Sequence, residues 1–489
     1  MRSEPPVRRL VLALLLAVLV AGGGDPAPAE AQNATSRPQA ENVLFIMGDD
    51  HAAYALGAYG SEIAKTPNLD RLAREGMRFD RAYVNSPVCT PSRQSILTGR
   101  LPHAAGVTLL RTALPDSQLT IAEHLRDRGF STGAIGKMHF NGSGPHGFDV
   151  RVDRRDYDRY LEEHPPREPP ETLAVRPEWR PFSDPARVWL NAETRPSSRY
   201  LEDSEGTFLA RRAQDFLREN RDQRFCLWLS FHTPHSPFNF PIEYAGTFDR
   251  SDVELPPVSP EDRRWIPQEF RDLTRPEMRG IVASYYTSVA YMDHNIGRVL
   301  ETLNELGLDE NTLVVYVGDH GYLLGHHGRF EKHMMWEEAV RAPLLVDGPG
   351  IPSSETDALV EFIDLVPTIL DVLRISEMPT VQGRSLMPLL TGEANAHRRY
   401  VFSEFLADHK AMIRTDRYKY VFTTGAKDLQ QNYETGFGPS GIDHRLYDLE
   451  LDPHEHNDLP EDPQYSGRLA QLQLTMLERF RRSHLRAHR

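Results

Sequence analysis

A cysteine and an arginine lie one helical turn apart in the segment VCTPSRQSILTGR, residues 88–100. Proline in the first turn and glycine at the end are typical of a helix that begins near Cys89, with Cys89 or Thr90 as its cap, and ends at Gly99. The exposed N–H groups of a helix N-terminus favour negative charge, and Arg93 faces back toward the same point. The pattern indicates either a cysteine with anionic chemistry or a cysteine that is simply packed, and it leaves both interpretations open.

Two polar pairs follow two apolar segments that are typical of buried strands. Asp49 and Asp50 come after NVLFIM, and Asp319 and His320 come after TLVVYVG. The carboxyl ends of the strands in a parallel sheet converge on the ligand crevice, so these four side chains are expected to lie together. Neighbouring carboxylates repel one another unless a cation neutralises them, and oxygen ligands suit Ca²⁺ or Mg²⁺. The sequence therefore predicts a divalent metal site at this edge.

Several cationic and imidazole side chains occur in similar positions. Lys137 and His139 end an extended segment in GKMHF, His235 follows a strand in FHTPHSPF, and Lys332 precedes a short helix in FEKHMMWEEAV. Each of them alone has an ordinary structural explanation. Together with Arg93, a metal and a helix N-terminus, they describe a pocket for a tetrahedral oxyanion.

The order of the predicted elements indicates an α/β fold. Buried strands alternate with helical segments, which is typical of a large, mostly parallel sheet flanked by helices. From about residue 395 the pattern changes to hairpin strands and a terminal helix, which predicts a smaller C-terminal α+β subdomain. We expect a catalytic domain over residues 40–394 and the subdomain over 395–489. The Pro- and Arg-rich stretch 145–196 is expected to be an irregular loop that shapes a pocket.

Charge and the N-terminus bear on the setting in which the protein works. The net charge of −14 argues against nucleic-acid binding. Residues 1–31 combine arginines, a short apolar run and Ala29-Glu30-Ala31, which predicts a cleaved export signal and a secreted or periplasmic protein with no stable membrane span. An uncleaved anchor is the alternative.

The chain has only two cysteines, so a Cys89–Cys226 disulfide is a minor alternative explanation for Cys89.

The motifs resemble the type I, formylglycine-dependent sulfatases of the alkaline-phosphatase-like superfamily. The segment CTPSRQSILTGR matches the Cys-x-Pro-x-Arg motif of that family and its Thr-Gly-Arg continuation. TPNLDRLAREGMRFDRAYV, GKMHF, PHSP, GDHG and LYDLELDPHEHNDL match in order, so the resemblance covers about residues 42–460. The Asp319–His320 pair and the PHSP context are closest to iduronate-2-sulfatase-like and choline-sulfatase-like members.

The resemblance implies that Cys89 is oxidised to formylglycine (3-oxoalanine) by a formylglycine-generating enzyme. The hydrated aldehyde then carries two hydroxyls, one to attack sulfur and one to allow the release of sulfate. The family has one divalent metal, and many of its members have Asn where this chain has His320. Ca²⁺ is the expected ion, with Mg²⁺ or Mn²⁺ as alternatives. The implied ligands are Asp49, Asp50, Cys89, Asp319 and His320.

The resemblance also assigns roles to the remaining candidates. Arg93, Lys137 and Lys332 would bind the sulfate, His235 or Lys332 would protonate the leaving alcohol, and His139 would act as the base. The implied reaction is hydrolysis of a sulfate ester, on a sulfated carbohydrate. The loop arginines that would suit uronates or multiply sulfated glycans, or would simply be solvated, are Arg154, Arg155, Arg176 and Arg180.

Two other functions remain open at this stage. One is a phosphonate or phosphodiester hydrolase that uses the same aldehyde nucleophile. The other is a glycan-binding protein without turnover, which would result if Cys89 were never modified.

Overall fold

The computed structural model describes residues 37–181, 183–406, 409–425 and 441–487. The strands are β1 (Asn42–Asp49), β2 (Met77–Phe79), β3 (Ala82–Tyr83), β4 (Ser131–Gly136), β5 (Val150–Val152), β6 (Phe225–Pro234), β7 (Thr312–Gly318), β8 (Leu344–Asp347), β9 (Ser354–Thr356), β10 (Val360–Glu361), β11 (Val401–Phe405), β12 (Lys410–Arg414), β13 (Tyr418–Thr423) and β14 (Asp443–Asp448). The α-helices are α1 (Pro67–Glu75), α2 (Cys89–Thr98), α3 (Pro102–Ala105), α4 (Ile121–Arg126), α5 (Arg154–Glu163), α6 (Ala186–Trp189), α7 (Glu205–Glu219), α8 (Gln268–Arg271), α9 (Arg275–Glu305), α10 (Glu337–Val340), α11 (Leu365–Val372), α12 (Met387–Leu390) and α13 (Ser466–Ala487).

Eight strands form the main sheet, in the order β5-β4-β6-β1-β7-β8-β2-β9. The first five of these are parallel, whereas β8 is antiparallel to both of its neighbours. The sheet is covered on both faces, which explains why β1 and β7 are continuous apolar runs. The predicted large, mostly parallel sheet is confirmed.

The core lies on the two faces of this sheet. Along β1, Val43 and Phe45 pack into one apolar cluster with residues of α2, α4 and α11. Leu44 and Ile46 point to the other face and pack with α1, α7 and α9. Because successive side chains of a strand alternate between faces, β1 anchors both layers of helices.

The carboxyl ends of four adjacent strands are level with one another. Ser230 of β6 pairs with Gly136 of β4 and with Met47 of β1, while Gly48 pairs with Gly318 of β7. The loops that follow β4, β6, β1 and β7 therefore emerge side by side. This edge carries most of the residues that the sequence singles out.

The C-terminal part forms a second sheet, in which β11, β12, β13 and β14 are antiparallel in that order. Phe402, Ile413 and Leu446 of this sheet share a cluster with Leu472 and Met476 of α13. The predicted α+β character of this part is confirmed.

The boundary between residues 394 and 395 stays a prediction, and the predicted export signal lies outside the described residues. Within the described ranges, no helix is long and apolar enough to cross a bilayer.

Three local expectations differ from the structure. Helix α2 begins at Cys89 itself, and its N-cap is Val88 in an extended conformation, so neither Cys89 nor Thr90 is the cap. The stretch 145–196 is not wholly irregular, because it contains β5, α5 and α6. Cys89 and Cys226 are both free thiols, so the alternative disulfide is absent.

A buried histidine links the segment before α8 to the loop before α10. His327 is 1% exposed and stacks on Trp336 with ring centroids 3.9 Å apart. Its Nδ1–H donates to Asp262 Oδ1 at 2.7 Å, and its Nε2 lies 3.8 Å from Glu338 Oε2. Burial disfavours the imidazolium, but Asp262 and Glu338 outweigh it and raise the pKa of His327 to about 9. The charged imidazole therefore stabilises the fold.

We expect this contribution to disappear at alkaline pH. A pKa raised from 6.5 in the unfolded chain to about 9 in the fold gives stability that is complete below pH 6.5 and is lost as the pH rises through 9. The loss amounts to at most about 3 kcal/mol in the free energy of unfolding. Denaturant unfolding at about pH 6 and about pH 9.5 should show His327→Gln approaching the wild type at the higher pH. His326→Gln, in the same turn, is the control and should lack this convergence.

Candidate active site

Cys89 lies at the N-terminus of α2, directly above the carboxyl edge of the main sheet, and its side chain is buried. Its Sγ is 3.2 Å from Lys332 Nζ, 3.3 Å from His320 Nε2 and 3.4 Å from Asp49 Oδ1. The sulfur atom is therefore surrounded by charged and metal-ligating groups, an environment unlike that of a cysteine packed among apolar side chains.

Three buried carboxylates converge on Cys89 from the ends of β1 and β7. Asp49 ends β1, and Asp50 follows it with a left-handed φ of 61°. The N–H of Asp50 donates to Asp319 Oδ1 at 2.9 Å, and the hydroxyl of Tyr285 donates to the Asp50 carbonyl at 2.6 Å. These bonds hold the Asp50 turn against the residue that follows β7 and against Tyr285 of α9, so that the three carboxylates share one small volume.

Three cations from different elements neutralise these carboxylates. Arg93 donates from Nε to Asp319 Oδ2 at 2.8 Å, and its Nη2 is 3.3 Å from Asp49 Oδ1. Lys137 forms an ion pair with Asp49. Lys332 Nζ lies 2.6 Å from Asp50 Oδ1. The three negative and three positive side chains balance one another.

The pKa values of the three carboxylates differ although all are buried. Burial raises the pKa of a carboxyl group, but for Asp49 the charges of Lys137, His235, Arg93 and Lys332 outweigh burial and hold the pKa well below its usual range. For Asp50 the opposing charges are led by His235, which is protonated in the acidic range where Asp50 titrates, and by Lys332, and they lower the pKa to about 2. For Asp319 burial prevails and the pKa is raised. Asp319 therefore depends most on further positive charge to stay ionised.

The donor set fits a divalent metal ion. The ligating atoms of Asp49, Cys89, Asp319 and His320 all lie within 4.8 Å of one another. The Nδ1 of His320 is 2.8 Å from the Gly321 carbonyl, which fixes the tautomer that donates from Nδ1 and leaves the Nε2 lone pair toward the cluster. Asp50 Oδ2 is buried and has no hydrogen-bond partner among the described residues. Oxygen ligands together with one oriented imidazole are suitable ligands for a divalent ion.

The other two candidate histidines lie at the border of this cluster. The Nε2 of His235 is 3.8 Å from Asp50 Oδ2, and its Nδ1 is 2.7 Å from the Ser236 carbonyl. Burial lowers the pKa of His235 to about 4. His139 lines the same cleft as Cys89 and Lys137, and its Nδ1 is buried without a hydrogen-bond partner in the described part. Burial, reinforced by Lys137 and Arg93, lowers the pKa of His139 as well.

A cleft of about 620 Å³ opens above Cys89. Its walls come from the predicted loop 145–196, from the segment after it and from the loop that follows β6. The side chains of this wall that carry charge or hydrogen-bonding groups include Arg154, Tyr157, Arg176, Glu178, Trp179, Arg199, Glu205, His232 and Asn239. Of the four loop arginines singled out from the sequence, Arg154 and Arg176 line the cleft. Arg155 and Arg180 do not line it.

The structure brings together every candidate site residue, and their individual chemical roles stay predictions. Sequence reasoning missed residues that support the site without a motif of their own. Ser230, whose Oγ accepts from Arg93 Nη1 at 2.6 Å, was detectable only as a polar residue in an apolar strand. Tyr285 on α9 and Arg199 in the cleft wall carried no sequence pattern that pointed to the site.

Comparison with known proteins identifies the family. The Sulfatase profile matches residues 41–375, and a profile described as N-sulphoglucosamine sulphohydrolase, C-terminal, matches residues 325–482. A choline-sulfatase of Rhizobium meliloti (strain 1021) is 28% identical over 477 residues, which cover 91% of this chain and 86% of that protein. An ulvan-active sulfatase of Formosa agariphila is 30% identical over 453 residues, which cover 89% of this chain and 80% of that protein.

The fold also matches solved structures. A phosphonate monoester hydrolase from Silicibacter pomeroyi superimposes with a TM-score of 0.76 at 25% identity, covering 90% of this chain and 95% of that one. The Sulfatase profile spans well over half of the present chain. The chain therefore belongs to the sulfatase family and is a sulfuric ester hydrolase.

Proposed function

We propose that the protein removes sulfate from a sulfated carbohydrate, and that residue 89, converted to formylglycine, provides the nucleophile. The observation that carries this proposal is the position of Cys89. It is buried at a helix N-terminus and within 4 Å of two carboxylates, two ammonium groups and an imidazole. Such a set of groups suits a site where an anion is bound and negative charge develops.

The thiol itself is poorly suited to attack sulfur. Burial raises the pKa of Cys89 well above its ordinary value, despite the opposing charges of Lys137 and Lys332. The unmodified side chain is therefore a neutral thiol, and only a thiolate is a good nucleophile. When formed, the hydrated aldehyde supplies one hydroxyl for attack and a second that allows sulfate to leave by elimination.

A divalent ion, which we expect to be Ca²⁺, is part of the proposal. Asp49, Asp50, Asp319 and His320 would hold it together with residue 89. When bound, the ion withdraws charge from the sulfate and lowers the pKa of the attacking hydroxyl. The cluster is neutral by itself, so two added positive charges would make it attractive to an anionic ester.

The surrounding side chains bind the ester and move protons. Arg93, Lys137 and Lys332 would pair with the sulfate oxygens. His139 suits the role of base, because its lowered pKa keeps the imidazole neutral near pH 7.

Between the two candidate acids, we propose Lys332. The neutral His235 donates from Nδ1 to the Ser236 carbonyl, so its Nε2 carries no proton to give.

A carbohydrate substrate is supported by the size and charge of the cleft. A volume of about 620 Å³ has room for more than a sulfate group, and Trp179 offers an aromatic side chain to the cleft. The arginines of the wall would repel a small quaternary ammonium such as choline, the substrate in the name of one relative. A sulfated polysaccharide, as in the name of the ulvan-active relative, fits this wall better.

We place this activity outside the cytoplasm, in polysaccharide degradation, because residues 1–31 have the pattern of an export signal.

A phosphonate or phosphodiester hydrolase is the second candidate, favoured by the fold similarity to the Silicibacter pomeroyi enzyme. Comparing the hydrolysis of 4-nitrophenyl sulfate with that of a bis-aryl phosphate distinguishes the two candidates.

The state of residue 89 gives the first test. In protein made by a host that has the maturation enzyme, the tryptic peptide Ala82–Arg93 should have lost sulfur, gained a carbonyl oxygen and become inert to alkylation. Cys89→Ser should lose at least about a thousandfold in kcat, because serine has no second hydroxyl. Cys226→Ala is the matched control and should keep its activity. An intact thiol in active protein would overturn the mechanism, and an intact thiol in inactive protein would favour the glycan-binding alternative.

Metal removal gives the second test. Chelation should abolish activity, and Ca²⁺ should restore it while raising the thermal midpoint by roughly 2–4 °C. Asp319→Asn should show no such response, because it removes one carboxylate of the cluster. Asp293→Asn is the control, since Asp293 is an equally buried carboxylate that bonds Asn68 and Leu69 instead. Recovery with Mg²⁺ or Mn²⁺ alone would show that the choice of ion is wrong, and recovery with no ion would refute the site.

The identity of the acid is tested by the leaving group. Sugar alkoxides need protonation far more than 4-nitrophenolate does. Lys332→Met should therefore lower kcat/KM about 10- to 100-fold more for a sugar sulfate than for 4-nitrophenyl sulfate. His235→Gln should lower both values by the same factor. The reverse pattern would assign the proton to His235.

A further inference from the structure

The cleft wall farther from Cys89 is built from three chain segments held by backbone hydrogen bonds. The N–H of Arg176 donates to the Pro196 carbonyl at 2.9 Å, and the N–H of Ser197 donates to the Phe240 carbonyl at the same distance. The carbonyl of Arg199 accepts from the N–H of Ile242 at 2.9 Å. Arg176 and Arg199 therefore belong to one continuous surface that has a defined backbone.

This wall is cationic although the chain as a whole is acidic. The charged residues of the wall are Arg154, Arg176 and Arg199 on the positive side and Glu178 and Glu205 on the negative side, which leaves a net positive charge. Lys137 and Lys332 also line the cleft, but Asp49 and Asp50 balance them. The net charge of the whole chain is −14. A concave surface of opposite sign to its surroundings concentrates the field on ligands of one charge, here on anions.

The arginines of the wall differ in their partners. Arg154 is neutralised by Asp158 at 2.9 Å and Glu205 at 3.5 Å. Arg176 instead donates to neutral acceptors, the Asn239 amide oxygen at 2.6 Å and the Pro177 carbonyl at 3.0 Å. No carboxylate of the described residues lies within 4.0 Å of the guanidinium nitrogens of Arg176 or Arg199. Two guanidinium groups thus face the cleft without an acidic partner.

Arg176 is also largely removed from water. Burial, with a smaller contribution from the like charge of Arg154, lowers the pKa of Arg176 to about 10. The group still carries its charge at neutral pH. Desolvating a charge without a counter-ion is unfavourable, and an anionic group of a ligand would compensate for it.

The same segment reaches the candidate active site. Trp179, three residues after Arg176, lies beside His235 with ring centroids 5.9 Å apart, and its Nε1 is buried without a hydrogen-bond partner in the described part. An indole ring with a free donor can pack against a sugar ring and bond one of its hydroxyls. A sugar on Trp179 would thus extend from the residues around Cys89 toward Arg176.

We infer that Arg176 and Arg199 form a subsite for a second anionic group of the substrate, a carboxylate or a further sulfate on the sugar that carries the reacting ester. This inference rests on the proposed carbohydrate activity and specifies its substrate class as sugars with at least two anionic groups. The planar guanidinium fork suits both carboxylate and sulfate oxygens.

The test compares selectivity among defined substrates. The probes are 4-nitrophenyl sulfate, a monosulfated N-acetylglucosamine, a monosulfated disaccharide that contains a uronate, and a disulfated glucosamine. The wild type should prefer at least one of the doubly anionic sugars to the monosulfated one. Arg176→Gln and Arg199→Gln should lower kcat/KM for that sugar about 10- to 100-fold relative to 4-nitrophenyl sulfate, mainly through KM. The sugar whose advantage disappears identifies the group as carboxylate or sulfate.

Two further variants keep the test decisive. Arg180→Gln is the matched control, because Arg180 lies in the same loop, pairs with Asp184 at 3.1 Å and does not line the cleft. Arg176→Lys keeps the charge and should restore part of the selectivity. An equal loss for all four substrates, or a wild type without preference for doubly anionic sugars, would overturn the subsite while leaving the sulfatase proposal intact. Turnover of 4-nitrophenyl sulfate with none of any sugar would overturn the carbohydrate proposal and the subsite together.

Discussion

The rest of the site depends on the placement of three carboxylates in one buried volume. Asp49, Asp50 and Asp319 would repel one another strongly without cations, and the cations that balance them come from three separate parts of the chain. Arg93 comes from helix α2, Lys137 from the end of β4 and Lys332 from the loop before α10. Removing any one partner would leave a buried charge uncompensated, which is among the more costly changes in a folded protein. Charge balance therefore ties the sheet, the helix and that loop to one geometry.

The backbone provides this geometry through close approach at the sheet edge. Gly136 ends β4 with a φ of +93°, and a Cβ there would lie 1.9 Å from the Ser230 carbonyl oxygen. That contact lets the N–H of Lys137 donate to the same carbonyl at 2.9 Å and directs its side chain toward Asp49. Ser230 also accepts from Arg93. One residue of β6 thus positions two of the three balancing cations.

The sequence was sufficient to predict the deep part of the site and much less informative about its wall. The apolar runs predicted β1, β6 and β7, and the polar residues directly after them had to meet once those strands were parallel neighbours. Arg199 could not be found in this way. Its position depends on hydrogen bonds between segments around residues 176, 197 and 240, which no local periodicity encodes. The predicted N-cap of α2 was also wrong. The N-cap is the extended Val88, which is fixed by tertiary packing and whose side chain makes no capping hydrogen bond.

This contrast reflects how the two regions would act in catalysis. In the proposed reaction the buried cluster would contact only the sulfate and the atoms bonded to it, so its charges could serve any ester that reaches residue 89. Discrimination among esters must come from groups that contact the rest of the substrate, and those groups lie in the cleft wall. The wall is held by backbone hydrogen bonds that do not involve the site carboxylates. Residues of the wall can therefore be substituted without a change in the charge cluster below it. The unpaired guanidinium groups of that wall are therefore best understood as determinants of substrate choice.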